Sequence, residues 1–517
     1  MERPHGNILF IVVDQLRADC LLGGLSGSLD LPNLRRLMAD GVTFAKHFTV
    51  ALPCGPSRAS LLTSLYAMNH RSVRNGTPLN ARHTNIALEA RRGGYEPLLF
   101  GYSDTSIDPR GRDPGDPDLR SYEGLIPGFT EVVQMRFGSN LAWLAELKAK
   151  GYRLPEEYFD IFKPVKADGS TSSVITDPPL YSAADSDTAF LTDHTIRGLS
   201  VRENRSWLAH VNYLRPHPPL VAPAPFNKMY DPAATMPPNR KNGIEDQKAQ
   251  HPFFKAFFSE PSNNELYIGF DGRIDQISEE DAGALRAVYF GLTSEVDQHI
   301  GRLIDYLKSS GQYDNTLIIF TADHGEMLGD HYIWGKQTVY DPAFHVPLII
   351  RDPENQATAG TVVNALTESI DLAPTILDWI DLASPPAFNG VSLAPFMRGE
   401  TPAVWRDHVF AEFDFGDPEK ATRFQRNLGL RLAESNLAIL RGNRFKLVHF
   451  NGALPPLLFD LENDPGEHVN LAADPAFAPE LARLQARMLD HRMTHADHEL
   501  SRMKLTESGV RIAPPDA

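Results

Sequence analysis

The chain has 517 residues, is 42% hydrophobic and 22% charged, and carries a formal net charge of -16 at pH 7. That length buries a large core and admits roughly two to four domains, while the acidic balance argues against a nucleic-acid partner and leaves room for a local basic pocket that takes an anion. Cys20 and Cys54 are the only cysteines, so a disulfide framework is excluded and a reducing, cytoplasmic setting is expected. The first apolar run, Ile8 to Val13, is short, lacks a cleavage pattern and ends at Asp14. No stretch approaches the ~20 apolar residues of a membrane span, so no membrane partner is expected.

In chain order, short apolar runs end in polar, loop-like residues. NILFIVV (7–13) leads to Asp14-Gln15, EPLLFG to Tyr102, SWLAHVNY to Arg215-Pro216-His217, and NTLIIFT to Asp323-His324; HVPLIIRDP is a further strand. Runs this apolar suit strands covered on both faces, as in parallel sheets. Helix-length apolar spacing lies between them at 56–67, 186–200, 281–308 and 369–381. The alternation predicts an α/β fold with a large, mainly parallel sheet flanked by helices. In such sheets active groups gather beyond the carboxyl ends of the strands, where Asp14, Tyr102, His217, Asp323 and His324 all fall. Residues 102–184 and 215–280 read as long excursions that wall a pocket. After about residue 400, HVFAEF, LAILRGNRFKLVHF and LLFDL read as antiparallel strands, followed by a helix at 474–491. The division expected is a catalytic α/β domain, 1–400, and a C-terminal α+β subdomain, 401–517.

Asp323-His324 joins a carboxylate to an imidazole after a buried strand, a pairing that suits a divalent transition metal. Asp14 is equally a metal-ligand position or a turn residue. Asp193-His194 and Asp497-His498 repeat the dipeptide within expected helices and read as surface pairs. His491 and His495, at helical spacing, read as a solvated face. Cys54-Gly55-Pro56-Ser57-Arg58 precedes the apolar helix ASLLTSLY. Pro56 suits the first helical turn, so residue 54 lies at a helix N-terminus, where backbone N–H groups and the dipole favour anions. The thiol itself stays open to three readings: a packing group, a thiolate with its pKa lowered by the helix and Arg58, or the precursor of another group.

Cys-x-Pro-Ser-Arg before a helix resembles the sulfatase motif in which the cysteine is oxidised to formylglycine. VVDQLRAD, IIFTADHGEMLGDH, YFGLTSEVDQHIGRLIDYL and LLFDLENDPGEHVNLA resemble further family segments, so the likeness spans nearly the whole chain. CGPSRASLLTSLYAMNHRSVRNGTPL, YLRPHPPLVAPAP and Gln15, where many sulfatases carry a second aspartate, are most similar to the phosphonate monoester hydrolase branch of the alkaline phosphatase superfamily. The resemblance implies a sulfatase-like fold. It implies one divalent metal at Asp14, Gln15, residue 54, Asp323 and His324, with manganese the expected ion and zinc, calcium, iron or magnesium the alternatives. It places Arg58, Asn75, Tyr102, His217 and Lys336 around the substrate anion. Asp104 departs from the branch, which has threonine there; a carboxylate at that point repels an anionic substrate or binds a cationic one.

The activity implied is promiscuous hydrolysis of phosphonate monoesters, phosphodiesters and sulfate monoesters. A formylglycine hydrate attacks phosphorus or sulfur, and the resulting ester is released by C–O cleavage that regenerates the aldehyde. His217 is the preferred general acid and Lys336 the alternative. The expected partners are a small anionic ester, a formylglycine-generating enzyme and further copies of the chain, a homotetramer, with the tail after about 490 as an assembly arm. A dedicated aryl or choline-type sulfatase is the closest rival; a non-catalytic anion binder and a thiolate phosphatase using unmodified Cys54 are the others.

Overall fold

The structure is a computed structural model and describes residues 6–512 except 139, 203–204, 261–265, 269 and 271. Among the described residues the strands are β1 (Asn7–Val13), β2 (Val42–Phe48), β3 (Ala51–Leu52), β4 (Glu96–Gly101), β5 (Thr130–Gln134), β6 (Trp207–Tyr213), β7 (Thr316–Ala322), β8 (Leu348–Arg351), β9 (Val362–Glu368), β10 (His408–Asp414), β11 (Asn436–Gly442), β12 (Phe445–Phe450), β13 (Leu457–Asp460), β14 (Met503–Thr506) and β15 (Gly509–Ile512). An eight-stranded sheet runs β5-β4-β6-β1-β7-β8-β2-β9. Its first five strands are mutually parallel. β1, β6 and β7 are buried along their whole length, which explains their mostly apolar runs: helices cover both faces.

The helix Glu279–Ser309 is the longest of those covers. Ser278 caps it by accepting from the Asp281 N–H, and Glu279, Glu280 and Asp281 fill its first turn, where acidic groups meet the positive end of the dipole. Leu285, Val288, Leu292, Val296, Ile300 and Leu303 face the core as the spacing predicts. The helices Asp187–Ser200 and Leu372–Trp379 also form where expected.

HVPLIIRDP supplies the antiparallel member of the mainly parallel sheet. β8 is antiparallel to both β7 and β2. Parallel return needs a crossover that carries the chain back along the sheet. Here residues 323–347 stay beyond the strand ends as a site-bearing loop, so the chain re-enters from that side.

A second sheet, β13-β12-β11-β10-β3, is antiparallel through β10 and ends on β3, which pairs with β10 in parallel. The strand two residues before Cys54 is thus an edge of the C-terminal sheet, and the sequence boundary near 400 is crossed by hydrogen bonds. The C-terminal helix is Ala478–Thr494. Asp497-His498 lies beyond it, not within it, and Asp497 pairs with Arg82 at 2.9 Å. The tail then forms the β14–β15 hairpin; residues 513–517 of the expected arm lie outside the described residues. Among the described residues no helix is long and apolar enough to cross a membrane.

Candidate active site

Four neighbouring parallel strands, β4-β6-β1-β7, deliver Tyr102, the 214–219 loop, Asp14 and Asp323 to one edge of the sheet. Close approach there needs glycine at two points. A Cβ on Gly101, whose φ is +107°, would lie 2.6 Å from the Asn212 carbonyl oxygen, and one on Gly325 would overlap the Pro342 carbonyl.

Cys54 is the first residue of the helix Cys54–Thr63. Asp14, Cys54, Asp323 and His324 are all buried, and one donor atom from each lies within 4.8 Å of the others. Among the described residues this is the one His/Cys/Asp/Glu group arranged to hold a metal. His324 Nδ1 donates to the Gly325 carbonyl at 3.0 Å, leaving Nε2 to face the Cys54 Sγ at 3.1 Å. Burial lowers the His324 pKa to about 3, so the imidazole is neutral and its Nε2 lone pair is available. Asp14 Oδ1 is buried with no hydrogen-bond partner. Burial and the Asp14 charge push Asp323 up to about 7. Burial also acts to raise Asp14, but His217, Arg58, His324 and Lys336 outweigh it and hold it below the ordinary carboxylate range. Two facing carboxylates, a neutral imidazole and an orphaned oxygen fit a divalent cation.

Arg58 binds this pair of carboxylates together. Its Nε donates to Asp323 Oδ2 at 3.0 Å and its Nη2 to Asp14 Oδ2 and the Tyr102 hydroxyl at 3.1 Å each. Nη1 donates to Asn212 Oδ1 at 2.5 Å, and the guanidinium stacks 4.3 Å from the Tyr102 ring centre. The Tyr102 hydroxyl donates in turn to Asp14 Oδ2. Ser57 Oγ donates to the Asp323 carbonyl at 2.5 Å.

Lys336 and His217 are only partly buried and form the outer side of the site. Lys336 Nζ donates to Gln15 Oε1 at 2.7 Å and to His217 Nε2 at 3.1 Å. His217 Nδ1 donates to the Pro218 carbonyl at 2.6 Å. Burial, then the Lys336 charge, lower the His217 pKa to about 3. Asn75 is exposed at the rim, and its Oδ1 accepts the Gly55 N–H at 2.9 Å. Asp104 is buried at φ +48°, and its Oδ1 has no hydrogen-bond partner. Burial raises its pKa well above the ordinary range, with Arg58 opposing.

Without a metal ion, burial and then the Asp14 charge push the Cys54 thiol well above its ordinary pKa, opposite to the lowering expected from the helix N-terminus and Arg58.

Gln15, at φ +67°, gives its N–H to Asp323 Oδ1 at 3.1 Å, and its carbonyl accepts from the Tyr289 hydroxyl at 2.8 Å. Glu326 and Asn212 were not foreseen in the sequence. Glu326 accepts from Gln15 Nε2, and its place two residues after His324 is the one local signal. The alternative pairs stand apart: His194 binds Glu146 at 2.8 Å and Asp193 binds Arg302 at 2.5 Å. His491 stacks on His495 with ring centres 4.1 Å apart, and its Nδ1 meets His408 Nε2 at 3.0 Å.

Residues 6–382 match the sulfatase family model, and 329–494 match that of the N-sulphoglucosamine sulphohydrolase C-terminal region. The chain is 38% identical over 512 residues to the multifunctional alkaline phosphatase superfamily protein PehA of Trinickia caryophylli, covering 98% of each. It is similar to the phosphonate monoester hydrolase SpPMH of Silicibacter pomeroyi, with a TM-score of 0.95 and 50% identity over 99% of this chain and 100% of that one. It is likewise similar to the phosphonate monoester hydrolase of Agrobacterium radiobacter, with a TM-score of 0.94 and 42% identity over 99% and 100%. Strand ends, donor set and likeness over the full length agree: the chain belongs to the sulfatase family of ester hydrolases.

Proposed function

We propose that the chain hydrolyses phosphonate monoesters, phosphodiesters and sulfate monoesters at this centre, with residue 54 as formylglycine and one divalent cation, manganese first. The observation that carries the reading is the buried convergence of Asp14, Cys54, Asp323 and His324 beneath the cationic Lys336. Its likeness to phosphonate monoester hydrolases and to a relative named as multifunctional supports the breadth of substrate. When present, the cation supplies a Lewis acid and formylglycine hydrate the attacking hydroxyl.

The chain's own residues do the rest. Asp14, Gln15, Asp323 and His324 would hold the cation, and Arg58 fixes the two carboxylates that repel one another without it. Lys336 binds a non-bridging oxygen of the substrate as negative charge builds there. His217 has Nδ1 committed to Pro218 and Nε2 accepting from Lys336, so the proton for the leaving oxygen resides on Lys336 and passes from the Lys336–His217 pair. Asn75 and Tyr102 border the anion.

The chain works in the cytoplasm, beside a formylglycine-generating enzyme that converts Cys54. It assembles as a homotetramer. The β14–β15 hairpin supports this, since Leu505 is 82% exposed opposite Val510 at 59%, and two strands alone are marginal in water. The test is to compare kcat/KM on a phenyl phosphonate ester, a phosphodiester and an aryl sulfate with protein whose residue 54 is verified by mass. Turnover of all three is expected; turnover of sulfate esters alone would favour the dedicated sulfatase.

A further inference from the structure

Glu326 is 2% exposed and sits at the centre of a closed hydrogen-bonded ring. One of its oxygens, Oε2, accepts from the side-chain amide nitrogen of Gln15. The other, Oε1, accepts the backbone N–H of Leu328 at 3.0 Å and of Gly335 at 2.6 Å. Gly335 directly precedes Lys336, whose ammonium donates to Gln15 Oε1 at 2.7 Å. The path therefore runs from Glu326 to Gln15, to Lys336, along the chain to Gly335 and back to Glu326.

This ring leaves the Gln15 amide one orientation. A carboxylate only accepts hydrogen bonds and an ammonium only donates them. An amide held between the two must turn its nitrogen to Glu326 and its oxygen to Lys336. The backbone at Gln15 is set independently, by its N–H on Asp323 Oδ1 at 3.1 Å and by the Tyr289 hydroxyl on its carbonyl at 2.8 Å. The left-handed φ of +67° at this non-glycine residue shows how firmly that position is held. The same carboxylate closes the 326–335 turn, and so fixes where Lys336 emerges.

We propose that Glu326 is a positioning residue that orients the Gln15 amide so that its oxygen, and not its nitrogen, is offered to the cation, and that holds Lys336 beside it. The inference rests on the metal-hydrolase reading above. It explains how a neutral side chain serves as a metal ligand here: the amide oxygen already faces the site, so binding the ion does not have to turn or order the side chain. Glu326 stands one hydrogen bond outside the donor set, where it strengthens the amide oxygen without competing for the ion.

The test is the affinity of the full-length protein for Mn2+ alone, measured by competition with a metal-sensing chelator, with no turnover required. Three variants are compared with the parent: Glu326→Gln, Gln15→Glu, and both together. Glu326→Gln puts an amide NH2 against the Gln15 NH2 and should weaken Mn2+ binding about 10- to 100-fold. Gln15→Glu sets two carboxylates against each other and should also weaken it. The double variant restores the ring with donor and acceptor exchanged, so its affinity should return to within about threefold of the parent or exceed it. A purely structural role for Glu326 predicts no such rescue. Undiminished affinity in Glu326→Gln, or a double variant no better than either single one, would overturn the proposal. If the parent itself binds no Mn2+, the metal-hydrolase reading falls first, and that outcome is separate from the other two.

Discussion

Two lysines in this molecule share a chemistry and differ in what surrounds them. Lys446 is 1% exposed and meets Asp341 Oδ1 at 2.7 Å and Glu467 Oε1 at 2.6 Å. Asp341 also takes Arg441 Nε at 3.1 Å, and Glu467 Oε2 accepts the Asp341 N–H at 2.7 Å. Two cations face two carboxylates, and the network joins the second sheet to the loop after the site. Lys336 instead donates to two neutral atoms, Gln15 Oε1 and His217 Nε2. Near it, Asp14 keeps a buried oxygen without a hydrogen-bond partner. In the first arrangement every carboxylate oxygen has a donor. In the second, Arg58 pairs with both Asp14 and Asp323, yet Asp14 Oδ1 has no donor and Lys336 no carboxylate partner. Carboxylates whose oxygens are all taken hold the fold, and a buried carboxylate oxygen left without a donor marks where a cation binds.

The largest expected effect separates the two lysines by direction. Lys446→Met leaves two buried carboxylates short of a partner and should cost about 3–5 kcal/mol of stability, read by denaturant unfolding. Lys336→Met should change stability by less than about 1 kcal/mol, yet lower kcat/KM on the order of 10²- to 10³-fold. Equal stability losses would break the comparison.

A second effect is pH-dependent. Asp323 is raised from 3.8 to about 7. A raised carboxyl pKa gives the metal-free protein a stability contribution that is full below the unfolded value and is lost as pH rises through about 7. A cation that takes this carboxylate must displace the proton below that pH. Mn2+ affinity should therefore fall about tenfold per pH unit below about 7. The gap in melting temperature between loaded and metal-free protein should widen from about pH 5 to pH 8. Glu467, also raised to about 7, is common to both forms and cancels from the gap. A gap independent of pH would show that cation binding displaces no proton from Asp323.

The smallest effect concerns Tyr102, whose hydroxyl links Arg58 to Asp14. Tyr102→Phe removes one such link from an already clamped carboxylate. Turnover should fall roughly three- to tenfold, as for one hydrogen bond of about 1 kcal/mol. A loss as large as that of Lys336→Met would make Tyr102 a direct participant.

The legible part of the fold is the part where burial is simplest. β1, β6 and β7 are covered on both faces, so each reads as a mostly apolar run whose end leads to a functional residue. β9 is an edge strand, exposed at Val362 and buried from Leu366 to Glu368, and no uniform pattern announces it. β8 reads as a strand, but its direction depends on the path of residues 323–347, which periodicity does not encode. Within the site, Asp14, Cys54, Asp323 and His324 were identifiable because each follows a strand or opens a helix. Asn212 and Glu326 were not, because their roles come from partners far away in the chain, at Arg58 and Gln15. The raised thiol pKa of Cys54 was hidden for the same reason: it comes from burial and then from Asp14, just beyond β1, whereas a local reading of the helix N-terminus gives the opposite sign.

The most direct test of the centre is an anomalous-difference map, at the manganese edge, of Mn2+-loaded crystals of active protein made in a host that oxidises Cys54. One strong peak should lie within bonding distance of Asp14, Gln15, Asp323, His324 and residue 54, with density for an aldehyde hydrate at that residue. A peak elsewhere, or an unmodified thiol at residue 54 in protein that turns over, would contradict it.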